Sequence, residues 1–187
     1  MILATHLIFC AYGFWLPNDP RGSWSEKVVA WELFQYGDTT KTSTRQSVAH
    51  RQHDWQRRLA AKSALKDPPV IFSGLQARAI GRGFARAAAE SGYVVYACCI
   101  LPEHVHAVIK RHEKPAVQIV GHLKSAATKR LTEERICPDS KVWARGSWQV
   151  FLENPQEVQR AVRYVQNNPI RANKAPQRWS FISLYAS

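Results

Sequence analysis

Acidic residues are scarce in this chain. Fourteen Asp and Glu face 26 Lys and Arg, giving a formal net charge of +12 and a pI near 9.9. That imbalance favours a polyanionic partner, nucleic acid ahead of an anionic membrane surface. A basic protein that binds nothing in particular is the alternative that composition leaves open. Metal-type cysteine spacing is also missing: Cys10, Cys98, Cys99 and Cys137 form no CxxC pair and suggest no disulfide framework. A reducing cytoplasm is the expected setting. No apolar run is long enough to span a bilayer. The opening "MILATHLIFCAYGFW" has neither a basic leading region nor a small-residue cleavage site, and reads as a strand. Internal repeats and low-complexity tracts are absent.

What is present is ordinary for a folded protein. Of 187 residues 45% are hydrophobic and 11% aromatic, which excludes a disordered chain. The length suits one well-buried domain carrying an insertion and is short for two. Residues 3 to 12 read as a first strand, closed by Gly13 and the turn-rich "LPNDPRGSW". Residues 23 to 69 differ in composition and are expected to be a basic insertion. Between Lys41 and Lys66, seven Lys and Arg meet the single acid Asp54, and a helix is expected around 45 to 66.

Beyond Phe72 the periodicity is clear. Ser73 and Gln76 have the spacing of a capping box, apolar residues recur from Leu75 to Ala88, and Gly92 supplies the stop. "YVVYACCI" suits a central strand, and "LPE" turns it into a second strand, "HVHAVIK". A helix over 115 to 134 and a strand over 142 to 152 follow. The last helix opens with Asn154 as cap and Pro155 at its first position, and is expected to stop at "NNP". This order of elements implies an α+β domain with helices packed on an antiparallel sheet.

Two features could carry chemistry. In "LPEHVHAVIK" strand alternation points His104 and His106 to one face and Val105, Ala107 and Ile109 to the other. Two neighbouring imidazoles could hold a divalent metal or simply be partly exposed histidines. On the last helix Val158, Ala161, Val162 and Val165 form an apolar stripe, and Tyr164 falls about 110° from its centre. Asn168 lies one turn further on the same flank. Each feature alone is as compatible with a border residue as with a reactive one.

Together they complete a set. "CILPEHVHAVIK", followed by "AVRYVQNNPIRANKAP", resembles the single-tyrosine HUH transposases, the IS200-like family, and among them the REP-associated tyrosine transposases. The likeness extends over most of the chain, including "HLIF", Lys124–Ser125 and the "RWSFIS" tail. It implies a ferredoxin-like (RRM-like) sheet with the His strand central and the Tyr helix lying across its face. It implies His104 and His106 as metal ligands, with Asn168 as a third where many members carry Gln. Tyr164 would be the nucleophile that cleaves and rejoins single-stranded hairpin DNA through a 5′-phosphotyrosine.

The residue types suit that chemistry. A phosphodiester repels nucleophiles, and a cation such as Mg²⁺ or Mn²⁺ offsets its charge. A tyrosine ester keeps the energy of the broken bond for rejoining. Lys124, Ser125, Thr128 and Lys129 crowd the polar side of the 115–134 helix as phosphate contacts or as solvated surface, and Arg163 and Arg171 flank the tyrosine. Trp15, Trp24, Trp143 and Trp148 could stack on bases or pack in a core. Two rival readings remain: a replication initiator or relaxase with the same chemistry, and a non-catalytic nucleic-acid binder on the same sheet. No membrane association is expected, and the family allows monomers and homodimers.

Overall fold

A computed structural model describes residues 1–14, 31–36, 54–139 and 141–186. Four strands form one antiparallel sheet: β1 (Ala4–Cys10), β2 (Val95–Ile100), β3 (His104–Lys110) and β4 (Trp148–Leu152). The spatial order is β2-β3-β1-β4, with β1 between β3 and β4. Helix α2 (Gly74–Ser91) joins β1 to β2, and α3 (Ala116–Glu133) joins β3 to β4. That βαββαβ order with two central strands is the expected ferredoxin-like arrangement. Helix α4 (Pro155–Arg171) follows β4, and a short 3-10 helix (Trp31–Tyr36) and α1 (Trp55–Ser63) lie between β1 and α2.

Strand alternation divides the sheet's side chains between two cores. Leu7, Phe9, Val105, Ala107 and Ile109 face α2 and α3, where they meet Ile80, Phe84, Leu123 and Leu131. Ala4, Ala97, Cys99 and Val108 face the other way, against Val158, Ala161 and Val165 of α4. The sheet is thus covered on both sides, and the stripe read on the last helix is the face it buries. Leu33 and Ala61 form a small separate cluster between the 3-10 helix and α1.

Helix ends follow local chemistry. Ser73 accepts from Gln76 N, while the Gln76 side chain accepts from Ser73 N, completing the capping box. Gly92 closes α2 at φ +66°, a left-handed conformation that glycine adopts without a side-chain penalty. Asn154 accepts from Glu157 N at 2.9 Å and opens α4.

Three sequence expectations are revised or limited. The last helix does not stop at "NNP"; it runs through Pro169 to Arg171. Asn173 at φ +54° ends it, with Lys174 N bonding to Pro169 O and Asn173 N to Ile170 O, a paired carbonyl closure. Burial of Pro169 on the sheet side and this closure outweigh the usual bias against helix before proline. The strand expected over 142 to 152 is regular only from Trp148; before it an isolated Ala11–Trp143 bridge and Gly146 at φ +71° make a bulged excursion. Part of the helix expected at 45 to 66 is α1; residues 45–53 lie outside the described residues, as do Trp15, Trp24 and much of the insertion.

Candidate active site

The two histidines of β3 share the face covered by α4. His106 is almost fully buried at 4% exposure, whereas His104 is half-buried and stacks on Phe14, with centroids 5.0 Å apart. Their rings meet edge to face at 4.9 Å. Alternation along β3 fixes this pairing, and in the register beside it β1 runs antiparallel with Ile8 opposite His106 and Cys10 opposite His104.

The same register brings in a third imidazole that the sequence motifs do not single out. His6 of β1, opposite Val108, lies on the site face, and its Nε2 is 3.0 Å from His106 Nδ1. A signal for it did exist. Within "ATHLIFC" alternation sets Ala4, His6, Ile8 and Cys10 against the apolar Leu7 and Phe9, so a polar ring was bound for the face opposite the α2/α3 core. Burial lowers the His6 pKa to about 4. His106 is held well below the ordinary range too, by burial first and by His104 and His6 beside it. These rings are neutral near pH 7, the state in which imidazole offers a lone pair.

Helix α4 lays Tyr164 over this pair. Its ring centroid is 5.6 Å from that of His106 and 5.9 Å from that of His6, edge-on to both. Tyr164 is still 42% exposed, so one side of the ring meets the histidines and the other meets solvent. Arg171, two turns along, holds its guanidinium carbon 5.6 Å from the tyrosine ring centroid. Arg163 is exposed beside it.

Asn168 follows Tyr164 by four residues. Its Nδ2 is buried with no hydrogen-bond partner among the described residues. An orphaned buried NH2 is costly until it meets an acceptor, and only the other atom of this amide, Oδ1, could hold a cation. Two imidazoles and an amide oxygen are a donor set that fits a divalent cation with open positions for water or phosphate. Among the described residues no group of three or more His, Cys, Asp or Glu could hold a metal ion. The candidate set therefore depends on the amide as its third donor.

The remaining expected contacts divide between the layers. Arg163 and Arg171 are on α4 with the tyrosine. Lys124, Ser125 and Lys129 are on α3, across the sheet from α4. Ser125 and Lys129 are exposed there, but Lys124 Nζ donates to Ala144 O at 2.8 Å and Gly146 O at 2.7 Å. Partial burial lowers its pKa, and it sits 5.6 Å from the Phe9 ring centroid. Its amine anchors the bulged segment before β4. Thr128 accepts from Trp143 Nε1, and Trp143 is buried in the α2/α3 core. Trp148, paired with Ile8, lies on the site face. No helix among the described residues is long and apolar enough to cross a membrane.

Comparisons place this geometry among known proteins. The fold is similar to a REP-associated tyrosine transposase solved bound to a REP hairpin, at 10% identity and a TM-score of 0.50. The alignment covers 92% of this chain and 70% of that one. A Deinococcus radiodurans protein described as a candidate transposase aligns at 11% identity and a TM-score of 0.40, over 94% of this chain and 93% of that one. No curated protein matches the sequence. The model of the family "Transposase IS200 like" matches residues 65–168, a stretch that contains His104, His106, Tyr164 and Asn168. That match spans more than half of the chain, and the protein belongs to the IS200-like transposase family.

Proposed function

We propose that the protein is a metal-dependent strand transferase that cuts and rejoins single-stranded hairpin DNA through Tyr164. The observation that carries this reading is the placement of the Tyr164 ring, edge-on to His106 and His6 and open to solvent on its other side. A nucleophile needs both: a phosphate-polarising site beneath it and an approach for the strand above.

In the forward step the Tyr164 oxygen forms a bond to phosphorus as the bond from phosphorus to the 3′ oxygen breaks. The phenol proton passes to solvent, the leaving 3′ oxygen gains a proton, and the 5′ phosphate stays on the tyrosine. Attack by a 3′ hydroxyl from another end reverses the exchange and releases Tyr164. A divalent cation, Mg²⁺ or Mn²⁺, held by His104, His106 and Asn168, would polarise the phosphate oxygens. Arg171 and Arg163 bring further positive charge to the approaching strand. Ser125 and Lys129 lie on the far layer, where they would meet flanking DNA, not the scissile phosphate; the Lys124 amine is taken up by the carbonyls of Ala144 and Gly146. Trp148 is a stacking candidate on the site face.

The related transposase solved with a REP hairpin supports hairpin DNA as the ligand class. The test is incubation with single-stranded hairpin oligonucleotides and Mg²⁺ or Mn²⁺, followed by a denaturing gel. The expected result is a protein–DNA species that survives denaturant and maps to the peptide containing "YVQNNP". Tight binding without any adduct under either metal would replace this reading with a non-catalytic binder.

A further inference from the structure

The buried hydrogen bond between His6 Nε2 and His106 Nδ1 can run in either of two directions. A neutral imidazole has one N–H and one lone pair, so the proton on one nitrogen decides what the other can do. If His6 donates, His106 Nδ1 accepts, and the His106 proton sits on Nε2. That nitrogen then has no lone pair to give. If His106 donates from Nδ1, its Nε2 is bare. Only the second direction leaves His106 able to bind a cation.

We infer that His6 is a positioning residue: its Nε2 accepts from Nδ1–H of His106 and so keeps the Nε2 lone pair of His106 available to a divalent cation. The inference rests on the metal reading proposed above, but it concerns a residue outside the donor set. Strand register supports it. With His6 opposite Val108 and Ile8 opposite His106, the two rings are diagonal neighbours on one sheet face, set by backbone pairing. Their centroids are 5.2 Å apart at an interplanar angle of 31°, and Tyr164 packs edge-on against both. Both rings are buried, at 8% and 4% exposure, so water competes weakly for either nitrogen. Partners that orient a ligating histidine in this way commonly change metal affinity by about 10- to 100-fold.

The proton can be located directly. Long-range ¹H–¹⁵N correlation spectra of the ¹⁵N-labelled full chain, recorded without metal, should show His106 protonated at Nδ1 and bare at Nε2. His6→Phe keeps a ring and removes the acceptor; His6→Gln returns an acceptor oxygen. Titration with Mn²⁺, read by the electron paramagnetic resonance of the free ion, should weaken about 10- to 100-fold in His6→Phe. His6→Gln should recover most of that loss, and thermal melts of both variants check that folding is intact. A wild-type His106 protonated at Nε2 overturns the inference, as does Mn²⁺ binding in a folded His6→Phe that equals wild type. If the wild type shows the expected Nδ1 proton but binds no Mn²⁺, the proton assignment stands and the metal reading fails.

Discussion

Replacing Tyr164 by Phe removes one hydroxyl from a ring that is 42% exposed and leaves its contacts with His6 and His106 in place. Stability should stay within about 0.5 kcal/mol of wild type, while the covalent adduct disappears and hairpin binding persists, as gel shift and denaturing gel can report. The two β3 histidines should behave differently from each other. Either change to Ala should lower cleavage by orders of magnitude by removing a candidate ligand. His106→Ala also leaves buried His6 without its partner, at a cost of about 1–3 kcal/mol. His104 is only half-buried, so His104→Ala should melt closer to wild type. Equal melting temperatures for the two variants would contradict the buried His6–His106 bond. At this scale the sequence was informative where a motif was local: alternation alone orients His104, His106 and the apolar residues between them. His6 was harder to see, because its importance comes from pairing with a strand 100 residues away, and no short window of sequence holds that register.

Helix packing depends on residues that contribute nothing but space. A Cβ on Gly83 would lie 2.7 Å from Ala126 O and 2.8 Å from Ala127 Cα, both backbone atoms of α3. Gly83→Ala should force α2 and α3 apart and cost about 1–3 kcal/mol, read as a melting point lower by about 2–4 °C per kcal/mol for a chain of this size. Gly92→Ala meets no neighbour within 4 Å and tests backbone conformation alone. The ends of α2 were legible because a capping box and a left-handed glycine are local devices. The end of α4 was not, because "NNP" reads as a stop while burial of Pro169 and the Asn173 closure come from tertiary packing. The bulge before β4 was hidden for a similar reason: the carbonyls of Ala144 and Gly146 are held by Lys124, a residue of another element.

Across the whole molecule, an excess of positive charge should make DNA binding strongly salt-dependent. Arg163→Gln together with Arg171→Gln should weaken binding to hairpins of any sequence alike. The log–log salt slope should fall by roughly 0.7 for each single-strand phosphate that the protein no longer neutralises; an unchanged slope would remove these arginines from the interface. The α+β class was readable from the order of elements. The arrangement of strands as β2-β3-β1-β4 was expected only from the ferredoxin-like family resemblance, since no local pattern holds which strands pair across the whole chain. One further consequence comes from the segment after α4. Gln177 donates from Nε2 to Ile100 O and accepts from Ile100 N, Ser183 N bonds to Val95 O, and Ile182 bridges Val95. These contacts occupy the outer side of β2, whose sequence "VYACCI" is uncharged, free of proline and rich in β-formers. Left bare, such a strand is a template for self-association. Replacing Gln177 and Ser183 by Pro should therefore appear first in light scattering, as growing aggregates at concentrations where the wild type stays dispersed, because the residues that follow the Tyr164 helix cover that edge.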